Sequence, residues 1–206
     1  MIAHPKHIPH WLSFSVISLL LALLVTACGG SSATSTPTPT PTPSPSPAPS
    51  QNFVTYNGNG YTINYPQGWS VTKGDAGLVT FKDPSGIAYL YVEVIPNPNG
   101  IVPASNQVNT GLEVFKSNSK NYQRVDIAPT TTLAGDTWSQ GAATGDVVPS
   151  GQTSAVTAKT VVIADNHPAS SPSTKGYSIA YVTGQQVFEL ANTTVFQPML
   201  QSFKFS

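Results

Sequence analysis

The sequence predicts an α+β domain, an antiparallel β-sheet with packed helices, carried behind a signal peptide and a disordered, proline-rich linker. Three observations carry this. Short alternating or apolar runs, bounded by Gly, Pro, Asn and Asp, recur through residues 51–206. The apolar period switches from two to about 3.6 once in the middle of that stretch and once near its end. The resulting order is strands, helix, strands, helix, which suits an antiparallel sheet better than the regular alternation of a parallel one.

Residues 1–50 cannot build a core. Met1 to Trp11 carries Lys6 and no acidic residue, and Leu12 to Val25 is an almost wholly apolar run of 14 residues. A membrane-spanning helix needs about 20 residues, so this run has the length of a signal-peptide apolar region instead. Val25-Thr26-Ala27-Cys28 follows. It resembles the bacterial lipobox, in which small residues fit the signal peptidase and the Cys thiol receives diacylglycerol. That resemblance implies removal of residues 1–27 and a lipid anchor on Cys28. Acyl chains contribute about 0.8 kcal/mol per buried methylene, so two or three of them anchor stably. The expected address is the bacterial cell membrane, with the domain facing outside the cytoplasm.

The linker spans residues 28–50. From Pro37 to Pro49, proline alternates with Thr, Ser or Ala. Each proline fixes its own φ and keeps the preceding residue out of the α region, which favours an extended polyproline II chain. At about 3.1 Å per residue such a stalk holds the domain roughly 40 Å from the membrane. The hydroxyls suit either a bare spacer or a glycosylated stalk.

Within the domain, Tyr61 to Tyr65 alternates as a strand, and Pro66 to Gly68 turns the chain into Trp69. Leu78 to Lys82 is a second strand, followed by the turn Asp83-Pro84-Ser85-Gly86 with Pro second and Gly fourth. Ile87 to Ile95 is the strongest strand signal. Ala88, Leu90, Val92 and Val94 share one face, and Ile87, Tyr89, Tyr91, Glu93 and Ile95 the other. After Pro103, the residues Val108, Gly111, Leu112 and Phe115 fall on one face of a helix, with Ser105 as the expected N-cap. The stripe bearing Leu90 and Val92 is expected to pack on this helix. Further strands are expected at 123–127, 136–147, 155–164 and 177–182, with a hairpin at Ser150-Gly151 and a polar loop over 166–175. Val195, Phe196, Met199 and Leu200 outline a short last helix, in which Pro198 is tolerated only if the helix starts near Thr194.

The stretch from Tyr61 to Trp69, a strand ending in Pro66-Gln67-Gly68-Trp69, resembles the opening of PsbP-like domains. Phe196 to Phe205 is similar to that family's closing helix and Ser-Phe-x-Phe strand, so the resemblance spans nearly all of residues 53–206. It implies an antiparallel sheet between helices (an α/β/α arrangement). The family includes photosystem II extrinsic subunits and many bacterial lipoproteins, and it implies no common catalytic residues. These are packing motifs, so Trp69 is expected to be largely buried near Phe196 and Leu200.

Composition removes several function classes. Only 9% of residues are charged, and the chain past residue 27 keeps eight basic and nine acidic residues, so no basic field exists for nucleic acid. Cys28 is the sole cysteine, which leaves the domain without disulfides, thiolate metal ligands or a cysteine nucleophile. His167 is the only histidine past the leader and reads as a solvated loop residue beside Pro168; no G-x-S-x-G accompanies it. Asp75, Asp83, Asp136, Asp146 and Asp165 lack the spacing of a calcium loop and read as solvated turn residues. No catalytic residue, metal ligand or cofactor is expected. The binding surface, if aromatic, is expected at Tyr65, Tyr89, Tyr91 and Trp138, whose rings combine apolar area with a polar tip. The sequence thus implies a membrane-anchored, non-enzymatic accessory domain for an envelope protein partner. The alternative is a module binding a small molecule or cell-wall glycan. An exposed apolar patch favours the first and a concave aromatic pocket the second.

Overall fold

The computed structural model describes residues 52–206. The expected signal peptide, Cys28 and the proline-rich stretch lie outside the described residues. All strand pairing is antiparallel. A small sheet holds β1 (Phe53–Asn57), β2 (Tyr61–Pro66) and β11 (Lys204–Phe205), in the order β1-β2-β11. The large sheet holds β3 (Ser70–Lys73), β4 (Leu78–Lys82), β5 (Tyr89–Pro96), β6 (Lys120–Val125), β7 (Thr130–Leu133), β8 (Asp136–Val147), β9 (Val156–His167) and β10 (Lys175–Gly184). Its order is β3-β4-β5-β10-β9-β8-β6, with β7 also pairing β8. Helix α1 (Ala104–Ser117) joins β5 to β6, and a helical segment with α2 (Phe188–Ala191) and α3 (Gln197–Gln201) follows β10. The fold is α+β.

The turns form as their residues dictate. The Gly86 amide donates to the Asp83 carbonyl, closing the predicted four-residue turn at 3.0 Å. The Asp83 carboxylate accepts from the amides of Ile87 and Ala88, each at 2.8 Å, and from Ser85. Burial works against its ionisation, but these bonds outweigh that and hold it below the usual carboxylate range. Ahead of Trp69, Gly68 takes φ +95, which only glycine adopts without strain. The Trp69 amide then closes on the Pro66 carbonyl. Trp69 is half-buried rather than largely buried, because it leads into β3, the edge strand of the large sheet.

The large sheet separates two apolar layers. Leu90, Val92 and Val94 join Phe81, Ile179, Phe188, Phe196, Met199 and Phe203 in the larger one, which also takes in Tyr61 and Ile63 of the small sheet. Val108 and Leu112 of α1 join Ala143, Val162 and Ala164 in the other. The expected packing of Leu90 and Val92 on α1 therefore does not occur. The bulky face of β5 meets the aromatic C-terminal segment. Helix α1 lies on the opposite face, where small residues let it come close. A Cβ on Gly111 would sit 2.9 Å from Val162 Cγ1, and one on Gly141 would sit 2.9 Å from Leu112 Cδ1.

Two helix ends differ from expectation. Helix α1 starts at Ala104 with Pro103 at its N-cap, so Ser105 lies inside the first turn and caps nothing. The entry is held by Asn97, whose side-chain amide donates to the Val102 carbonyl and whose Oδ1 accepts from the Val102 amide. At the other end, the backbone is helical from α2 through α3, and Pro198 lies well inside that run. A π-turn over Asn192–Phe196 precedes it. Widening the turn there relieves the clash of a proline ring with the carbonyl four residues back. The short strands β1, β3 and β7 were not foreseen, because only β7 buries a residue, Leu133.

Candidate functional site: an apolar groove beside α1

Helix α1 packs over β8, β9 and β10 but leaves the same face of β5 and β4 uncovered. The result is a groove of about 800 Å³, within the usual range for a small-molecule site. Its floor is the face of β5 bearing Tyr89, Tyr91, Glu93 and Ile95, continued by Ser178, Ala180 and Val182 of β10. Gly111, Val114 and Phe115 of α1 form one wall, and Leu78 of β4 contributes to the other side of the floor. Val102 closes it near Ile95, while Ile87 and Val148 stand at the other end. At about 3.4 Å per strand residue, Ile87 to Ile95 makes a trough roughly 27 Å long.

Tyr89 and Tyr91 project side by side, as two residues apart on one strand must. Their rings are parallel within 3°, with centroids 5.9 Å apart, as an offset pair. The Lys82 ammonium lies 5.6 Å from the Tyr89 ring centre. Burial, with the neighbouring Tyr89, pushes the Tyr91 hydroxyl up to about 12, so it stays a neutral donor at physiological pH. At the Val102 end, Gln107 and Asn97 both donate to Asn166 Oδ1, at 2.7 and 2.8 Å. Gly176 makes room for this network: a Cβ there would meet Gln107 Oε1 at 2.7 Å.

The structure divides the four aromatic residues singled out from sequence. Tyr89 and Tyr91 line the groove together. Tyr65 does not; it sits on β2 of the small sheet, half-buried, with its ring 5.3 Å from Phe81. Trp138 is no surface residue at all. It is 0% exposed, stacks on Phe205, meets Phe203 edge-on, and donates its indole N–H to the Leu133 carbonyl at 3.0 Å. The alternation of β8 shows that Trp138 faces one side of the sheet, but only the tertiary packing makes that side the larger core.

The polar end of β9 also differs from expectation. Extending the β8–β9 register from Ser139↔Ala164 puts Asp136 opposite His167. His167 Nδ1 and Asp136 Oδ2 are 2.8 Å apart, and the imidazole stacks on Phe205 with centroids 3.7 Å apart. Asp165 lies next to them, its Oδ2 buried without a hydrogen-bond partner among the described residues. Burial raises its pKa, and the charge of Asp136 adds to this. His167 is thus no solvated loop residue, and Asp136 and Asp165 are not isolated turn acids. Candidate ligand atoms of the three lie within 4.8 Å of one another, so these are residues that can hold a metal ion. Two carboxylates and one imidazole suit a divalent first-row cation. Sequence spacing hides the cluster, since Asp136 and His167 are 31 residues apart.

The chain matches no family model and no curated protein. Among solved structures it is similar to LpqN, involved in cell envelope biogenesis of Mycobacterium tuberculosis. The TM-score is 0.45 at 12% identity, over 75% of this chain and 91% of that one. A protein from Bacteroides thetaiotaomicron VPI-5482 scores 0.42 at 7% identity, over 76% of this chain and 49% of that one. Both scores are low, and the functional reading rests on the chain's own geometry. Among the described residues, no helix is long and apolar enough to cross a membrane.

Proposed function

We propose that this chain is an extracytoplasmic lipoprotein, anchored through Cys28, whose PsbP-like domain is a non-enzymatic module binding a small molecule with an apolar body. The observation that carries this reading is the groove: an aromatic and aliphatic trough left open because α1 covers only part of its sheet face. Concavity favours a small ligand over the flat patch a protein partner uses. The chemistry of the lining favours an apolar ligand over a glycan. Sugars need several hydrogen-bonding groups beside a stacking ring, yet Glu93 is the single charged side chain among the described lining residues. Most other lining side chains are aliphatic or small.

One experiment tests anchor and groove together. Cys28→Ser is expected to leave the membrane or to remain as uncleaved precursor, and the released protein to bind the neutral dye N-phenyl-1-naphthylamine with enhanced fluorescence. Ser178→Trp, which fills the floor, is expected to abolish the enhancement without unfolding the domain. A cleaved Cys28→Ser protein that stays on the membrane overturns the anchor. Dye binding that survives Ser178→Trp overturns the groove.

A further inference from the structure

Resting on that reading, the groove's single charged lining side chain has a consequence for ligand choice. Among the described residues that line it, Glu93 alone carries a charge. It is half-buried, on the central floor strand, between Tyr91 and Ile95 on the same face. Its cross-strand neighbours are Leu78 on β4 and Ser178 on β10, neither of them a cation. No salt bridge or side-chain hydrogen bond to Glu93 occurs among the described residues. Lys175 on β10 pairs with Pro96, three residues along β5 and so on the opposite face, while Lys82 on β4 shares the groove face but pairs with Tyr89, four residues along and so about 13 Å away. Its ammonium is drawn onto the Tyr89 ring instead. A carboxylate amid apolar walls interacts more strongly with an opposite charge than one in open water, because the surroundings screen it less.

We infer that Glu93 selects the ligand's head, and that the groove takes a cationic amphiphile, with an ammonium group at Glu93 and an apolar chain running past Tyr91 and Tyr89 toward Ile87. The geometry gives the ligand its direction. Chain beyond Glu93 toward Gln107 meets the Asn97–Gln107–Asn166 network after one further floor residue, Ile95, whereas the other direction offers the long apolar floor. For an anionic head, the cation that the described residues offer on this face of β4 is Lys82, at the far end and outside the lining.

The test displaces N-phenyl-1-naphthylamine from the Cys28→Ser protein with three ligands sharing one chain: decylamine, decanol and decanoate, each below its micellar range. Decylamine, protonated at pH 7, is expected to displace the dye at about tenfold lower concentration than decanol, with decanoate weakest. Glu93→Gln is expected to erase the decylamine preference, read as displacement ratios against that variant's own dye affinity, and Glu93→Lys to reverse it in favour of decanoate. Dye binding with no preference among the three, or a decanoate preference in the parent protein, overturns the role of Glu93 and leaves the groove reading standing. Failure of the parent protein to bind the dye overturns the groove reading and this inference with it. A ranking that survives Glu93→Gln overturns the assignment of the head site.

Discussion

Removing the indole of Trp138 is expected to cost the domain about 3–5 kcal/mol. A buried Trp removes about 150–250 Å² from water, which at about 25 cal/mol per Å² amounts to roughly 4–6 kcal/mol before relaxation. Measured truncations of buried aromatics fall slightly lower, near 3–5 kcal/mol. The structure puts Trp138 at the upper part of that range, since it is 0% exposed and touches both Phe203 and Phe205. Trp138→Phe separates packing from hydrogen bonding. It keeps an aromatic ring but leaves the Leu133 carbonyl without its indole donor, a loss of about 1–3 kcal/mol. Typical domains are stable by about 5–15 kcal/mol, so the alanine variant should remain measurable, with a much lower urea midpoint. The assay is urea unfolding followed by far-UV circular dichroism, with dye binding measured on the folded fraction. A loss under about 0.5 kcal/mol for Trp138→Ala, the range of ordinary surface changes, refutes the buried placement. So does a Trp138→Phe variant of native stability that no longer binds the dye.

Two further outcomes follow from the layers and the acidic cluster. Leu90→Ala and Leu112→Ala are each expected to cost about 2–5 kcal/mol, since both residues are fully buried. Lying in separate layers, they should add within about 0.5 kcal/mol in the double variant; a coupling above about 1 kcal/mol refutes the two-layer arrangement. Asp165 has a folded pKa above its ordinary value, so its contribution to stability is full at low pH and declines as pH rises through that raised pKa. Asp165→Asn keeps the side chain neutral. Its melting temperature is expected to exceed the parent's at pH 7 and to converge with it near about pH 3.5, below the ordinary carboxylate value. A difference of equal size at both pH values refutes the titration of Asp165 as its cause.

The sequence by itself determined what depends on neighbours along the chain. β5 alternates because its side chains point to opposite faces in turn, and its two stripes, Leu90 with Val92 and Tyr89 with Tyr91, were readable from that period alone. The helix of Val108, Leu112 and Phe115 followed from spacing, and the Asp83 turn from its proline and glycine. Only the tertiary structure decided which stripe meets which layer. Periodicity assigns a residue to a face, but not a partner to that face. Helix α1 settled on the small-residue side because Gly111 and Gly141 admit it there, and its offset left Tyr89, Tyr91 and Glu93 in an open groove. Trp138 went inside, and Asp136, Asp165 and His167 came together, for the same reason. Strand register between residues some thirty positions apart is a property of the folded sheet, set by the burial of whole faces rather than by any local pattern.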